Sequence, residues 1–184
     1  MAIEIEKKYR LNHNRRDDLK TELEASGGEF VGREFEENTI YSNDHLRSTS
    51  SIVRIRKTDH RAILTFKRRI ENQFDVKQQI EHETDISDAA AAEAILSELG
   101  LTPVLVYEKY RDTWNFRSVE VVIDELPFGD YMEIEGTITA IKEAEILLGI
   151  EDLETEHETY PRLTARLGET VGETIEARFK REEP

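Results

Sequence analysis

The sequence predicts an antiparallel α+β fold with eight strands, a number sufficient to close a barrel. Three observations support this prediction. Apolar and charged residues alternate along eight segments, as they do in half-buried strands. Successive strands lack the regular intervening helix that a parallel βαβ fold requires. The 184-residue chain is long enough to bury a core without disulfides, and it contains no Cys.

The eight predicted strands share a two-residue alternation, which is clearest in the N-terminal segment AIEIEKKYRL. Residues 59–61 (DHR) have the composition of a hairpin tip, and residues 127–130 (PFGD) have that of a tight turn. The strands are predicted over residues 2–11, 29–42, 51–57, 61–69, 76–86, 103–116, 118–126 and 130–137.

Four further segments favour helix. The first is followed by Gly27-Gly28, and glycine supplies the left-handed residue that ends many helices. The second is rich in alanine, starts after Ser87 as its expected N-cap and ends at Gly100. The helices are predicted over residues 13–26, 88–99, 139–149 and 158–182.

Composition excludes several classes of protein. There are 40 acidic and 25 basic residues, and the net charge of −15 argues against a nucleic-acid binder. No apolar run approaches the ~18 residues of a membrane span, and the N-terminus has no signal-peptide core. We therefore expect a cytoplasmic protein without a membrane partner. No linker or repeat divides the chain, so residues 1–184 are expected to form one domain with a C-terminal helical tail over 158–184.

The polar positions of the strands carry charges at i, i+2 spacing, which places them on one face of each strand. If these faces point outward, they form an ordinary solvated surface. If they point inward, they line the lumen of a barrel, where eight basic and seven acidic residues nearly cancel. The basic candidates are Lys8, Arg54, Arg56, Lys67, Arg69, Lys77, Lys109 and Arg111, and the acidic ones are Glu4, Glu6, Glu81, Glu83, Asp124, Glu133 and Glu135.

An inward arrangement suits one kind of ligand. Arg and Lys side chains bind phosphate oxygens, often with charge-assisted hydrogen bonds. Carboxylates bind hard divalent cations such as Mg²⁺ or Mn²⁺, which bridge the same oxygens. The sequence therefore predicts a polyanion that carries a metal ion.

The order of short motifs resembles that of CYTH proteins, which are also called triphosphate tunnel metalloenzymes. Residues 4–8 (EIEKK) are similar to the N-terminal ExExK signature of that family, which is weak by itself. The ordered set is more specific and spans residues 4–136. Two departures bear on the substrate: Gln79 stands where many members carry arginine, and Arg68-Arg69 replaces a frequent proline. The other matching segments are VRIR (53–56), LTFK (64–67), EHE (81–83), EKYR (108–111), ID (123–124) and YMEIEG (131–136).

The resemblance implies a closed eight-stranded antiparallel β-barrel, the triphosphate tunnel, with helices packed outside, and it implies catalysis on a triphosphate. It implies metal binding by Glu4, Glu6, Glu133 and Glu135. The same resemblance makes Glu81, Glu83 and Asp124 candidates for positioning metal or water in catalysis. It also implies that the substrate is clamped by basic side chains, for which Lys8, Arg54, Arg56, Lys67, Lys109 and Arg111 match the family, with Arg69 and Lys77 as further candidates.

The sequence leaves three functions open. The first is hydrolysis of an inorganic or organic triphosphate such as tripolyphosphate or thiamine triphosphate. The second is conversion of ATP to cyclic AMP and pyrophosphate, as in class IV adenylyl cyclases. The third is a non-catalytic module that binds polyphosphate or a nucleotide, although all the matching carboxylates are present. Either a monomer or a homodimer is compatible with the sequence.

Aromatic residues and histidines are expected to have structural roles. The five histidines show no metal-ligand spacing, and His82 should point away from the lumen because it alternates with Glu81 and Glu83. Tyr160 follows the last predicted strand, and the sequence does not place it. Four aromatic residues are expected to pack in the core or at the rim rather than to stack a nucleobase: Trp114, Phe116, Phe128 and Tyr131.

Overall fold

A computed structural model describes residues 2–70 and 77–180, with side chains from residues 5 and 78 onward in the two ranges. Within these ranges the chain forms ten strands and five helices. The strands are β1 (Ala2–Leu11), β2 (Glu29–Ser42), β3 (Ser51–Lys57), β4 (Ala62–Ile70), β5 (Lys77–Ile86), β6 (Thr102–Phe116), β7 (Val119–Leu126), β8 (Gly129–Glu135), β9 (Glu169–Val171) and β10 (Thr174–Ala177). The helices are α1 (His13–Ala25), α2 (Asp44–Ser48), α3 (Ala89–Glu98), α4 (Ile138–Leu147) and α5 (Tyr160–Leu167).

Eight of the strands form a closed ring. Their order is β2-β3-β4-β5-β1-β8-β7-β6, and β6 pairs again with β2. Every pair in the ring is antiparallel. The predicted antiparallel barrel is therefore confirmed. Closure leaves each ring strand paired on both sides and gives the sheet an inner and an outer face.

The outer face of one side of the ring packs against two helices. Leu19 and Leu23 of α1 and Ile141 of α4 are fully buried against outward side chains such as Val121 and Ile134. Each such side chain stabilises the fold by roughly 1.5–3 kcal/mol through burial. These helices hold β1, β7 and β8 in place, and the same strands carry acidic residues on their inner faces.

Helix α5 packs on the inner face at one end of the ring. Its Leu163 is fully buried in a cluster with Ile40, Leu105, Leu126 and Tyr131. Leu105, Leu126 and Tyr131 alternate in phase with the predicted lumen residues of β6, β7 and β8. Helix α5 therefore covers part of the opening at this end, which we call the α5 end.

The predicted helix ends are mostly close to those observed. Helix α1 ends before Gly27, which has a φ of +81°, as its expected left-handed role requires. The N-cap of α3 was predicted wrongly as Ser87. Asp88 is the cap, and its carboxylate accepts a hydrogen bond of 3.0 Å from the backbone N–H of Ala91. Asp and Ser cap comparably well, so composition alone does not choose between adjacent candidates.

The prediction of a helical tail from residue 158 to the end is wrong beyond α5. The helix ends at Gly168, where an added Cβ would lie 2.7 Å from the carbonyl oxygens of Thr164 and Glu176. The chain then forms β9 and β10, and β10 pairs in parallel with β6. Ile175 and Ala177 pack against the α5 cluster. The one-domain organisation stays a prediction, and no helix within residues 2–70 and 77–180 has the length and apolarity that crossing a bilayer requires.

Replacing Leu163 with Ala should destabilise the protein by about 2–5 kcal/mol, because it leaves a cavity in the α5 cluster. The matched control is Leu167→Ala on the same helix, since Leu167 is 45% exposed. Urea unfolding followed by circular dichroism measures both. Equal effects from the two variants would show that α5 is not anchored through Leu163.

Candidate active site in the tunnel

A cavity of about 920 Å³ occupies the interior of the ring. Strands β1 and β3–β8 contribute side chains to its lining, together with α5. The predicted residues that line it are Glu6, Lys8, Arg54, Arg56, Lys67, Arg69, Glu81, Glu83, Lys109, Arg111, Glu133 and Glu135. The alternative of a solvated outer face is therefore wrong for these residues. The side chains of Glu4 and Lys77 lie outside those described.

Asp124 lies fully buried beneath the lining, where it organises the cations around it. In the pairing of β6 with β7, Asp124 lies directly opposite Arg111 on the neighbouring strand. The Arg111 guanidinium donates two hydrogen bonds to the Asp124 carboxylate, of 2.7 and 2.6 Å, and a third of 2.9 Å to Glu133. Burial would lower the pKa of Arg111, but the attraction of Asp124 outweighs it and holds that pKa well above its ordinary value. Arg111 is therefore a permanent, fixed cation.

Lys109 is held between two buried carboxylates. Its Nζ lies 3.3 Å from Glu36 and 3.3 Å from Asp124. Burial, and then the positive charge of Arg111, lower the pKa of Lys109 to about 8. Burial would raise the pKa of Glu36, but Lys109 and Arg111 hold it well below the ordinary range. Lys109 is thus a lumen cation whose charge changes near neutral pH.

Glu36 was not among the residues predicted to face the lumen. Strand β2 carries several acidic residues, and none of the quoted motifs includes Glu36. Glu36 lies directly opposite Lys109 in the β2–β6 register. The two-residue alternation of Glu34, Glu36 and Asn38 is a signal that would have identified it once β2 was paired with β6.

Arg54 and Arg56 enter the cavity from β3. Arg54 donates to Thr65 over 3.3 Å, and its guanidinium lies 3.7 Å from Glu83. Arg56 contacts Glu36 at 3.4 Å and Glu83 at 3.2 Å. The Nε atoms of both arginines are buried and have no hydrogen-bond partner among the described residues. An unsatisfied buried donor costs about 1–3 kcal/mol, so these two N–H groups favour an acceptor inside the tunnel.

Lys8 and Tyr160 meet at the α5 end. Lys8 Nζ lies 3.2 Å from Glu133 and 3.7 Å above the centre of the Tyr160 ring. The Tyr160 hydroxyl donates a 2.8 Å hydrogen bond to Asp124. Burial, and then the negative charge of Asp124, raise the pKa of Tyr160 well above its ordinary value, so the hydroxyl stays a donor. Sequence reasoning did not place Tyr160, because its position depends on how α5 packs into the ring.

The opposite end of the cavity carries a row of carboxylates, which we call the carboxylate end. Glu135 of β8 lies directly opposite Glu6 on one neighbouring strand and opposite Glu120 on the other. All three line the cavity, and Glu120 was not among the predicted residues. Like charges directly opposite one another destabilise a sheet. The row is therefore suited to a bound cation.

The row fits a cation that is bound together with a phosphate ligand. No three acidic or histidine side chains are gathered into a ready metal site in the described part of the chain. A dedicated protein cage is not what Mg²⁺ requires, since it is usually held by one or two carboxylates plus substrate phosphates and water. Glu6, Glu133 and Glu135 supply carboxylates beside the cations of the clamp, so the donor set is appropriate.

The remaining predicted residues are placed as follows. Lys67 forms a 2.7 Å ion pair with Glu81, and Arg69 lies exposed at the α5 end. His82 is exposed and stacks on Phe66 outside the lumen. The aromatic residues expected to pack do so: Trp114 and Phe116 in the outer core, and Phe128 and Tyr131 with the α5 cluster.

The family profile described as the CYTH domain matches residues 2–165. The chain belongs to the CYTH domain family. Among curated proteins there is no significant match to this CYTH chain.

Three solved structures share the CYTH fold seen here. The PH1012 protein from Pyrococcus horikoshii is 24% identical, with a TM-score of 0.75 over 87% of this chain and 98% of that one. A candidate adenylate cyclase from Vibrio parahaemolyticus is 19% identical, with a TM-score of 0.69 over 89% and 98%. HpAC1 from Hippeastrum, a candidate adenylyl cyclase described as having a dominant triphosphatase activity, is 18% identical, with a TM-score of 0.68 over 89% and 95%. At these identities the similarity establishes the fold.

The charge of Lys109 should make anion binding depend on pH. Above its pKa of about 8 the free tunnel loses one positive charge, so the affinity for an anion falls. In Lys109→Arg the cation persists at every pH, because a guanidinium does not deprotonate. With tripolyphosphate as the probe in EDTA, calorimetry between about pH 7 and 9.5 should show wild-type affinity falling relative to the variant by up to about tenfold per pH unit. If the affinities of the wild-type protein and of Lys109→Arg changed with pH in parallel, the role of Lys109 would be contradicted.

Proposed function

We propose that this protein is a divalent-metal-dependent triphosphatase that hydrolyses a triphosphate held inside the tunnel. The observation that carries the proposal is the pair of buried Arg54 and Arg56 Nε donors without partners. They lie among four further described cations of the clamp: Lys8, Lys67, Lys109 and Arg111. Phosphate oxygens are acceptors that match a guanidinium, and each such charge-assisted bond is stronger than a neutral one. Membership of the CYTH family supports the same substrate class.

The clamp would work by positioning and by neutralising charge. Phosphoryl transfer spreads negative charge over the equatorial oxygens of the transferred group, and fixed cations stabilise that charge. Arg111 and Lys109 are held from behind by buried carboxylates, so they are already oriented. Arg54 and Lys67 contact shallower carboxylates, which phosphate oxygens would replace, and Arg56 contacts both the shallower Glu83 and the buried Glu36. Arg69 and Lys77 stay further candidates for substrate binding.

The acidic residues would have two roles: some would bind the metal ion, and others would orient the attacking water. Glu6, Glu133 and Glu135 would hold Mg²⁺ or Mn²⁺, together with Glu4, whose side chain lies outside those described. When bound, the ion would supply positive charge to the phosphate oxygens. CYTH triphosphatases generally use divalent ions, and the choice of Mg²⁺ or Mn²⁺ stays a prediction.

We assign different roles to the three catalytic candidates. Asp124 is surrounded by Arg111, Lys109 and the Tyr160 hydroxyl, so it serves as a positioning residue. Glu83 is 39% exposed at its side chain, which leaves room for water beside the arginines. Glu83 is therefore the candidate for orienting the attacking water. Glu81 is paired with Lys67 and is the second candidate.

Cyclisation of ATP is the alternative reaction. The Vibrio parahaemolyticus structure is described as a candidate adenylate cyclase, whereas HpAC1 is described as mainly a triphosphatase. Among the described lining residues, the only aromatic rings are those of Tyr107 and Tyr160, both buried. The tunnel therefore offers a nucleobase no open aromatic face, which favours hydrolysis. Tripolyphosphate, ATP and thiamine triphosphate remain the candidate substrates, and cytoplasmic location and the choice between monomer and homodimer stay predictions.

The purified protein should release phosphate from tripolyphosphate when Mg²⁺ or Mn²⁺ is present, with ATP and thiamine triphosphate assayed in parallel and products identified chromatographically. Arg54→Ala should lower kcat/KM by about tenfold or more, because it removes a charge-assisted contact of ~1.5–3 kcal/mol. Arg68→Ala is the matched control, since Arg68 is exposed on the neighbouring strand β4. Cyclic AMP as the main product would favour the alternative, and normal turnover by Arg54→Ala would contradict the clamp.

The double variant Glu133→Gln with Glu135→Gln should lose turnover and its dependence on divalent cations, because amides are poor ligands for hard cations. Glu143→Gln on the exposed side of α4 is the control. Metal titration of activity measures the effect, and thermal melting checks that the double variant is folded. A folded double variant with the wild-type metal response would refute this metal assignment.

A further inference from the structure

The pairing of β2 with β6 closes the ring, and two carboxylates face each other across it. Glu37 of β2 lies directly opposite Glu108 of β6, and we call these two residues the seam carboxylates. Both point to the outer face, because their strand neighbours Glu36 and Lys109 meet inside the tunnel. Like charges directly opposite one another destabilise a sheet, and Glu108 is only 2% exposed. The strand pairing that closes the barrel therefore requires a cation on its outer side.

The C-terminal segment supplies that cation. Arg178 directly follows β10, and its guanidinium donates a 2.6 Å hydrogen bond to Glu37 and one of 3.0 Å to Glu108. The same terminal nitrogen, Nη1, makes both contacts. A third hydrogen bond joins the guanidinium to Glu176 within β10. Arg178 therefore bridges β2 and β6 at the seam carboxylates.

The backbone on both sides of Arg178 holds it in this position. Before it, β10 pairs in parallel with residues 105–107 of β6, which immediately precede Glu108. After it, the backbone N–H of Phe179 donates a 2.9 Å hydrogen bond to the second carboxylate oxygen of Glu108. The Phe179 ring packs on Tyr110 of the same strand, with 5.1 Å between the ring centres. The guanidinium is thus fixed against the outer side of β6.

The inner face of the same strand pairing carries part of the phosphate clamp. Glu36 lies directly opposite Lys109, one register step from the seam carboxylates, and it also contacts Arg56 at 3.4 Å. Without Arg178 the seam carboxylates would repel each other. Separation of the strands at that step would move Glu36 away from the two clamp cations that it contacts. The contact outside the barrel and the clamp inside it are therefore joined by one step of backbone.

We propose that Arg178 is a positioning residue for the phosphate clamp: it holds β2 and β6 together at the seam carboxylates and so keeps Glu36 against Lys109 inside the tunnel. This inference rests on the proposed function, since it takes the clamp to bind a triphosphate. Arg178 lies beyond residues 2–165, which the CYTH profile matches, so the contact comes from outside the matched domain.

Calorimetry with tripolyphosphate in EDTA, where metal-dependent turnover is absent, tests this role. Arg178→Gln should lower the affinity by about three- to tenfold, because the clamp loses its alignment. Arg178→Lys should keep part of the affinity, since an ammonium group still supplies a positive charge to the seam carboxylates. Lys180→Gln is the matched control, because it removes the same charge from an exposed position two residues further along the segment. The control should keep the wild-type affinity.

Two further variants test the route from Arg178 to the clamp. Adding Glu37→Gln to Arg178→Gln removes the repulsion between the strands, so the affinity should return toward the wild-type value. In a protein that already carries Lys109→Ala, Arg178→Gln should lower the affinity no further, because the cation through which Arg178 acts is absent. A loss of stability alone would not produce this pattern, and thermal melting checks that each variant is folded.

The outcomes separate this inference from the proposed function. If the wild-type protein does not bind tripolyphosphate, the proposed function fails. If it binds and Arg178→Gln binds equally tightly, the role of Arg178 alone is overturned. That role is also overturned if Lys180→Gln weakens binding as much, if Glu37→Gln restores nothing, or if the effect of Arg178→Gln is the same without Lys109. Should Arg178→Gln not fold, Arg178→Lys gives the same comparisons at smaller amplitude.

Discussion

The pairing of buried charges inside a closed ring is the constraint on which this structure depends. Removing an ion from water costs several kcal/mol unless a partner compensates it. Asp124 is the centre of this compensation, because it is fully buried and accepts hydrogen bonds from Arg111, Lys109 and the Tyr160 hydroxyl. The ring, the α5 helix and the clamp meet at this one carboxylate. The folded tunnel holds its cations because carboxylates stand behind them.

The carboxylates of the tunnel fall into two layers with different consequences. Glu36 and Asp124 are almost fully buried, so they set the positions of Lys109 and Arg111 whether or not a ligand is present. Glu81 and Glu83 lie closer to solvent and contact Lys67, Arg54 and Arg56. Phosphate oxygens can replace these outer contacts at low cost. The inner layer therefore preorganises the site, and the outer layer gives the cations partners until a ligand replaces them.

The sequence predicted the ring strands well, because a period of two over many residues is a strong signal and each ring strand shows it. The period of two does not by itself show which side chains point into the lumen, since an outward face of a strand has the same period. The order of the motifs was also needed to predict that Arg54, Arg56, Lys109 and Arg111 point inward. Glu36 and Glu120 could not be found from single strands, because their significance comes from register with β6 and β8. The β9–β10 hairpin was missed because its strands have three and four residues, too few for a periodic signal.

The acidic exterior makes the charge of the incoming ligand part of its recognition. The predicted lumen residues carry eight positive and seven negative charges, so the rest of the chain carries a net charge of −16. A bare polyphosphate is repelled by that field as it approaches, whereas the same anion carrying a divalent cation is repelled less. Salt screens this repulsion over about 8 Å at physiological ionic strength, but it weakens the short, buried contacts of the clamp much less. The exterior therefore governs how often ligands arrive, the lumen governs how tightly they are held, and both favour a phosphate chain that enters with its metal ion.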